Sequence, residues 1–358
     1  MERFISVDTG KFGTKCVEYD AKKDSITRKF SIRTKVSEGD FRDDAIEENT
    51  VVVKIGDKTY KVGNGARGQD AGLETSKTTE THKICLLTAL ATLASSKEID
   101  DINVAVGLPI TEWASIDKRE KFKEFMFPKG DIVVEFKKDS ASPIIKKTFR
   151  IKNGYAFPES QGAIWQDGVI ENISPTSLIG VIDLGNLNLN ATMWQGKDIV
   201  HDQSTTSDLG GAILIQEIAQ EISANILPCN ELVASNIITS GSLSLPKGAN
   251  VSDEQISLSK DIVKRVLSTH VNKIKRVLNS KNWSLDVTNL VAIGGTSRVL
   301  EKELKETFGN IIVLDNAEFC NATGYLRLMC AKNLDRVIPL SDDDKKANKE
   351  KEELKKAS

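Results

Sequence analysis

The sequence contains few of the features that mark disulfide-rich, zinc-binding, secreted or membrane-embedded proteins. Its five cysteines are odd in number, scattered and never arranged as C-x-x-C, so neither a disulfide framework nor a zinc site is indicated, and a reducing cytosol fits best. No apolar run approaches the roughly 20 residues that span a bilayer, and the opening Met-Glu-Arg leads directly into a strand pattern. We therefore expect a cytoplasmic protein with no membrane partner.

The chain also lacks a strong net charge. Its 49 Lys and Arg stand against 51 Asp and Glu, so direct, salt-driven binding to nucleic acid is not expected. Only eight prolines, 39% hydrophobic residues and 28% charged residues indicate a folded chain, and 358 residues suit two domains or one bilobed body. The charged tail 341–358 contains one large aliphatic residue, Leu354, and is predicted to be solvated.

Two stretches of the chain resemble each other. One is V-D-T-G-K-F-G-T-K at residues 7–15, and the other is I-D-L-G-N-L-N-L-N at residues 182–190. Each follows an apolar run, and the alternating pattern after each turn predicts a strand, a turn and a second strand. The equivalent positions are Asp8 with Asp183, and Gly10 with Gly185.

The rest of the sequence alternates between strand and helix patterns, which indicates an α/β fold. Strands are predicted at 50–55 and 58–62 as a hairpin joined by Gly56-Asp57, and at 102–108, 132–136, 149–151 and 290–293. Helices are predicted at 82–95, near 116–126, near Pro158 with this proline in the first turn, from Leu209 with Ser207 or Asp208 as N-cap, at 253–279 and at 299–308. The literal G-x-G-x-x-G at 63–68 lacks the apolar helix of a dinucleotide fold, so it is interpreted as a loop.

The two related turns are suited to phosphate binding. A tight glycine-bearing turn directs several backbone N–H groups into one small space, where they can hold phosphate oxygens. Lys15 is predicted to neutralise the β- and γ-phosphates, and the second copy has Asn190 at that position. Asp8 and Asp183 are predicted to hold Mg²⁺ through water, since this ion prefers oxygen ligands.

In this order, the motifs resemble those of the actin, sugar kinase and Hsp70-like ATPase superfamily, and within it the ParM-like actins of bacterial plasmid segregation. The resemblance extends to about residue 335. It implies two actin-like, ribonuclease H-like α/β lobes, with mixed sheets flanked by helices and a nucleotide cleft between the lobes. The implied domain I spans 1–175 plus about 322–340, with a small inserted subdomain at about 35–80. Domain II spans 176–321, and the charged tail follows at 341–358.

The resemblance also implies which residues bind the cofactors, ATP or GTP with Mg²⁺. The phosphate motifs correspond to residues 8–15 and 183–190, and the adenosine motif to 293–297. The implied nucleotide-binding residues are Gly10, Lys11, Phe12, Gly13, Thr14, Lys15, Gly185, Asn186, Leu187, Asn188, Gly294, Gly295 and Thr296. The second turn departs from the family pattern because it is rich in asparagine, which leaves the hydrolysis rate open.

The implied catalytic residues are Glu159, Asp183 and Asp8. Glu159 lies in a segment, 155–160, that resembles the first hinge of these proteins, whose carboxylate orients the attacking water. Residues 321–325 resemble the second hinge, and Ser76-Lys77-Thr78 is a further feature of this branch. The three histidines are far apart in sequence and lack the spacing of metal ligands.

The resemblance implies a filament-forming ATPase that drives plasmid segregation by ATP-controlled polymerisation. Its expected partners are copies of itself and a DNA-bound adaptor of a partition system, and loops at about 56–72 are candidates for the self-interface. One alternative is a small-molecule kinase, although the sequence offers no convincing catalytic Asp in a substrate pocket. The other is a nucleotide-sensing scaffold with little turnover, which the asparagine-rich turn suggests.

Overall fold

The computed structural model describes residues 2–42, 46–68, 76–167, 169–243, 251–286, 288–335 and 337–338. The chain divides into two compact units. Unit 1 comprises Met1–Asn172 with Phe319–Ser358, and unit 2 comprises Ile173–Glu318. The predicted tail and residues 69–72 of the predicted interface loops lie outside the described residues.

In the described residues, fourteen strands form two sheets, one in each unit. The strands of unit 1 are β1 (Glu2–Thr9), β2 (Gly13–Asp20), β3 (Ser25–Arg33), β4 (Val36–Glu38), β5 (Thr50–Ile55), β6 (Lys58–Gly63), β7 (Asp100–Leu108), β8 (Asp131–Lys137) and β9 (Ile145–Pro158). Those of unit 2 are β10 (Leu178–Leu184), β11 (Leu189–Gln195), β12 (Asp198–Ser207), β13 (Asn289–Ile293) and β14 (Ile312–Val313).

Ten α-helices accompany these strands within the described ranges. They are α1 (Glu80–Leu93), α2 (Ile110–Trp113), α3 (Ile116–Met126), α4 (Gln161–Ile164), α5 (Gly211–Asn225), α6 (Glu231–Ser240), α7 (Asp253–Ser280), α8 (Gly295–Val299), α9 (Glu301–Phe308) and α10 (Cys320–Leu334). Four of them, α1, α3, α6 and α7, begin at side-chain caps that satisfy free N–H groups of the first turn. Thr79 accepts from the His82 backbone before α1, and Ser252 forms a capping box with Gln255 before α7.

The two sheets repeat one local topology. The sheet of unit 1 has the order β3-β2-β1-β7-β9-β8-β5-β6-β4, and that of unit 2 has the order β12-β11-β10-β13-β14. In each, a hairpin (β1–β2 or β10–β11) is flanked by a strand that pairs parallel to its first strand. Asp8 lies opposite Lys15, and Asp183 lies opposite Asn190. The predicted strand, turn and strand units are therefore confirmed in the same register.

Apolar residues of helices pack against each sheet. In unit 1, Leu86 and Leu90 of α1 pack with Val7 of β1 in the main core. In unit 2, Val271 and Ile274 of α7 belong to the core that includes Ile182 of β10. Each fully buried aliphatic side chain of this kind contributes about 1.5–3 kcal/mol to folding. These cores hold the hairpins that carry the predicted phosphate turns.

The predicted hairpin at 50–62 is confirmed, and it extends the main sheet of unit 1. Its strand β5 pairs antiparallel with β8, and β8 pairs with β9. The G-x-G-x-x-G segment follows at the end of β6, where Gly63 has φ +114°, a value that favours glycine. Residues 64–68 of this segment form a loop, as predicted.

Two predicted helix starts are wrong. The helix expected from Pro158 begins at Gln161, because Pro158 is the last residue of β9 and lies opposite Leu108 of β7. The N-cap of α5 is Gly210 rather than Ser207 or Asp208. A side chain at Gly210 would collide with the backbone of the second phosphate turn, at Leu187. In both cases a tertiary contact outweighs the local signal.

The helix predicted at 299–308 is divided in two. The structure has α8 up to Val299 and α9 from Glu301, with Leu300 between them as the C-cap of α8 and the N-cap of α9. The predicted helices at 82–95, 116–126 and 253–279 are confirmed to within a few residues.

Candidate functional site

Two of the predicted catalytic carboxylates lie at one edge of the unit 1 sheet. Asp8 is near the end of β1, and Glu159 directly follows β9. Both strands run parallel to β7, so their carboxyl ends meet at the same edge, where α/β folds commonly bind ligands. The Glu159 N–H donates to the Leu108 carbonyl at 2.9 Å, which fixes its backbone. Ser160 follows with φ +70°, a strained value for a residue other than glycine.

A buried lysine that sequence reasoning did not assign to the site joins these carboxylates. Lys77 is 2% exposed, and its Nζ lies 2.6 Å from Glu159 Oε1 and 3.4 Å from Asp8 Oδ1. Burial would lower the pKa of Lys77, but the charges of Glu159 and Asp8 raise it above its ordinary value. The cluster therefore holds one protonated amine between two carboxylates.

The sequence contained a weak signal for Lys77. The Ser76-Lys77-Thr78 motif resembles a feature of the ParM-like branch, which by itself assigns Lys77 no role. A lysine in a polar stretch is normally exposed, and burial depends on partners far away in the chain. Here those partners are 69 residues before and 82 residues after Lys77.

The first phosphate turn is compact and carries a lysine above it. A side chain at Gly10 would place its Cβ 2.8 Å from the Gly13 carbonyl oxygen and 3.4 Å from the Nζ of Lys15. The ammonium of Lys15 therefore lies close to the backbone of the turn, as a phosphate ligand would require. Phe12 is 41% exposed at the tip, and the Arg33 guanidinium lies 3.2 Å from its ring centroid.

The remaining residues of this turn have different environments. Lys11 is half-buried, whereas Thr14 is completely buried. The hydroxyl of Thr14 lies 2.9 Å from that of Thr34, outside the predicted motif. Thr14 therefore holds the backbone of the turn, which leaves its N–H groups and Lys15 as the groups suited to a phosphate.

A buried histidine lies near the same cations. Burial, followed by the charges of Lys77 and Lys11, lowers the pKa of His82 to about 3. Its Nδ1 lies 2.8 Å from the Thr79 hydroxyl at the start of α1. His82 is therefore neutral at physiological pH and adds no charge to the site.

The second phosphate turn is built into the start of a helix. The Gly185 N–H donates to the Asn188 carbonyl at 2.9 Å, which closes the turn. The carbonyls of Gly185 and Asn186 in turn accept from the Gly211 and Ala212 N–H groups at 3.1 and 2.6 Å. The turn thus caps α5. Leu187 and Asn188 are half-buried within it.

The predicted adenosine motif contacts this second turn. Gly294 has φ +87°, caps α8, and approaches the Leu184 carbonyl too closely for any side chain. Its Cβ position would lie 2.9 Å from Asp183 Oδ1. The Thr296 hydroxyl donates to the Gly185 carbonyl at 2.9 Å, whereas the Cβ position of Gly295 meets no described atom within 4 Å. Unit 2 therefore brings Asp183, the second turn and the adenosine motif together.

The carboxylates of the predicted site suit magnesium, which keeps several of its waters, better than a metal that several side chains hold at once. In the described part of the chain, no group of three or more His, Cys, Asp and Glu side chains is arranged to hold a metal ion. Mg²⁺ typically uses one or two carboxylates, the phosphates of its nucleotide and several waters. Asp8 in unit 1 and Asp183 in unit 2 are each a buried carboxylate of the kind that this mode uses.

The two predicted hinge segments lie together in unit 1. A side chain on Gly324 of α10 would overlap the backbone of Gly162 in α4, so the two helices cross at their glycines. The Gln166 amide donates to the carbonyls of Gly162 and Cys320 at 2.9 and 3.0 Å. Among the described helices, none is long and apolar enough to cross a bilayer.

Comparison with known proteins identifies the fold. Residues 6–162 match the family model described as the N-terminal domain of actin-like proteins. A search among curated proteins finds no relative. Ta0583, an archaeal actin homolog, aligns with a TM-score of 0.75 at 15% identity, over 92% of this chain and 99% of its own.

Two further solved structures cover nearly the whole chain. The Alp12 filament aligns with a TM-score of 0.69 at 20% identity, over 93% of this chain and 99% of its own. A ParM from Bacillus thuringiensis, solved with ATP, aligns with a TM-score of 0.68 at 19% identity over the same shares. The chain therefore has the actin-like fold, as the sequence resemblance implies, and residues 6–162 are similar to the N-terminal domain of actin-like proteins.

Proposed function

We propose that this chain, because it has the actin-like fold, is a nucleotide-dependent ATPase that polymerises with copies of itself. The observation that carries the proposal is the duplicated turn: two hairpins in one register, each with a buried aspartate and a glycine turn. The two turns bind one nucleotide in this proposal, with Lys15 on the phosphates. Filament structures among proteins of this fold support the self-assembly.

The residues of unit 1 have distinct roles in hydrolysis. Glu159 accepts a hydrogen bond from the attacking water and orients it, and the protonated Lys77 holds the Glu159 carboxylate in place. Lys77 also contacts Asp8, the carboxylate that would hold the hydrated ion in unit 1. When bound, Mg²⁺ would neutralise charge on the phosphates.

Plasmid segregation is the finer part of the proposal. The ParM proteins among the structural neighbours support it, although their identity to this chain is only 16–21%. A DNA-bound adaptor would connect the filament to its cargo, because the near-neutral net charge of −2 does not favour direct DNA binding.

Polymerisation is tested by light scattering and pelleting with Mg-ATP, Mg-GTP or no nucleotide. We expect assembly only with a nucleoside triphosphate. The matched control is Lys15→Ala, which removes one charged hydrogen bond and should weaken nucleotide affinity by about 10- to 100-fold. A wild-type protein that stays monomeric at high concentration with Mg-ATP would contradict the proposal, and equal affinity of the variant would contradict the role of Lys15.

A nucleotide-sensing scaffold is the second candidate. Asn190 occupies the position equivalent to Lys15, and its amide oxygen accepts from Thr206 at 2.8 Å, so this side chain serves the fold. Phosphate release measured without an acceptor distinguishes the candidates. Steady release supports the ATPase, binding without release supports the scaffold, and release only with an added small-molecule acceptor supports a kinase.

A further inference from the structure

The same backbone carbonyl is held by a threonine in both phosphate turns. The Thr34 hydroxyl donates to the Gly10 carbonyl at 2.6 Å, and the Thr296 hydroxyl donates to the Gly185 carbonyl at 2.9 Å. Gly10 and Gly185 are equivalent positions of the internal repeat. The two threonines are not equivalent, because Thr34 follows β3 and Thr296 lies in α8.

Three hydrogen bonds join Thr34 to the first turn. Its single O–H donates to Gly10, so in the 2.9 Å contact with Thr14 the Thr14 hydroxyl must be the donor. The Thr34 N–H also donates to the Phe12 carbonyl at 3.0 Å. Thr34 is fully buried and contacts three residues of the first turn, although it lies 20 residues after Thr14 and outside the motif.

Holding this carbonyl also orients the next amide. In a trans peptide the C=O and the following N–H point in opposite directions. The N–H of Lys11 therefore points away from Thr34, and the N–H of Asn186 points away from Thr296. These are the amides that follow the two equivalent glycines of the repeat, where a phosphate oxygen would bind.

We propose that Thr34 and Thr296 are positioning residues that orient the phosphate-binding amides of Lys11 and Asn186. The inference rests on the proposed nucleotide binding. It adds to the site Thr34, which lies outside the predicted motifs. It also makes Thr296 a residue that supports the backbone of the second turn rather than a nucleotide ligand. Two unrelated elements thus supply the same hydrogen bond to equivalent carbonyls, which packing alone does not require.

The test compares Thr34→Val and Thr296→Val with Thr34→Ser and Thr296→Ser. Valine has nearly the shape of threonine but lacks the hydroxyl, whereas serine retains it. Affinities for ATP, ADP and adenosine are measured by titration calorimetry. We expect each valine variant to bind ATP and ADP about 3- to 10-fold more weakly, because one neutral hydrogen bond is lost, and to bind adenosine unchanged. The serine variants should bind ATP like the wild type.

Matched controls come from hydroxyls that bond to carbonyls elsewhere. In unit 1, Thr92 donates to the Thr88 carbonyl at 2.8 Å, and in unit 2, Thr288 donates to the Ser284 carbonyl at 2.9 Å. Thr92→Val and Thr288→Val should lose comparable stability, measured as Tm, without a change in ATP affinity. If Thr92→Val or Thr288→Val lost as much ATP affinity as Thr34→Val, that result would contradict the positioning role.

The outcomes separate this inference from the proposed function. If the wild type binds no nucleotide, both are overturned. If it binds ATP but the valine variants bind equally well, or lose adenosine in the same proportion, only the positioning role is overturned. Should Thr34→Val fail to fold, Thr296→Val and the serine variants decide the question, since weak ATP binding by Thr34→Ser would itself contradict the inference.

Discussion

At the scale of single residues, the most informative feature is a buried charge that sequence patterns did not reveal. Lys77 contacts two carboxylates that come from distant strands, and all three side chains are largely shielded from water. A cation in such a place is stabilised only by its partners, because desolvation opposes it. The site therefore depends on all three residues together.

Replacing Lys77 by alanine should strongly destabilise the protein. Two carboxylates would lose their buried partner, so we expect the free energy of unfolding to fall by about 3–5 kcal/mol. Chemical denaturation measures this, and Lys58→Ala at an exposed position of β6 is the control, with an expected change within about 0.5 kcal/mol. A loss at Lys77 no larger than that of the control would show that the ion pairs contribute little.

His82 should make stability depend on pH. Its pKa is lowered to about 3 in the folded protein from an ordinary 6.5, so below pH 6.5 the unfolded state binds a proton that the folded state does not. The stabilising contribution is complete above pH 6.5 and is lost toward pH 3, by about 1.4 kcal/mol per pH unit.

The His82→Asn variant should therefore lose stability less steeply than the wild type between pH 6.5 and 4. Denaturant midpoints across this range measure the slope. The exposed His201→Asn is the control and should follow the wild type. Parallel curves for His82→Asn and wild type would refute the assignment.

At the scale of elements, α10 shows why a helix that is buried on all sides is difficult to predict from the sequence. Every residue from Cys320 to Cys330 is buried, so the sequence lacks the polar face on which a periodicity prediction depends, and no helix was predicted there. Its polar residues have partners in the fold: Arg327 donates to the Trp165 carbonyl at 2.7 Å and contacts Asp167 at 2.5 Å. Only the assembled unit shows that these residues are internal.

The crossing of α4 and α10 should not tolerate a methyl group. In Gly324→Ala the new Cβ would overlap Gly162, so the helices must separate, which costs about 1–3 kcal/mol. The midpoint of thermal unfolding measures the loss. Gly295→Ala is the matched control, because its Cβ would meet no described atom within 4 Å. If both variants melted alike, the close crossing would be without consequence.

At the scale of the whole molecule, the proposed function couples the nucleotide that a subunit binds to the assembly of that subunit into a filament. Glu159 is the residue at which binding and turnover are separable, because it is assigned to the water and not to the nucleotide. A contact between copies that does not close on itself propagates as a filament, so a single change in one subunit is repeated along the polymer.

Glu159→Ala should bind ATP, polymerise and release phosphate slowly. Losing a group that orients the attacking water typically reduces turnover by about 10²- to 10⁴-fold. Phosphate release and pelleting from the same sample measure both properties, and Glu171→Ala, on a short helical turn outside the site, is the control. Normal turnover in Glu159→Ala would show that Glu159 has no role in hydrolysis. If filaments of this variant disassembled at the wild-type rate, disassembly would not depend on hydrolysis.

The sequence by itself determined the duplicated hairpins, the glycine turns and most of the helices and strands. These follow from local rules: alternation over a few residues, glycine where the backbone must bend tightly, and apolar spacing along a helix. The repeat also identified Asp8 and Asp183 as equivalent positions, which the shared register confirms. Such features depend on residues that are close in the chain.

Only the tertiary structure decided which distant residues complete the site. Lys77 beside Asp8 and Glu159, Thr34 beneath Gly10, and Gly210 as the cap of α5 are contacts between segments that sequence spacing does not relate. The physical reason is that burial and hydrogen bonding depend on neighbours in space, and for the strand edge of unit 1 those neighbours are set by the order of the sheet.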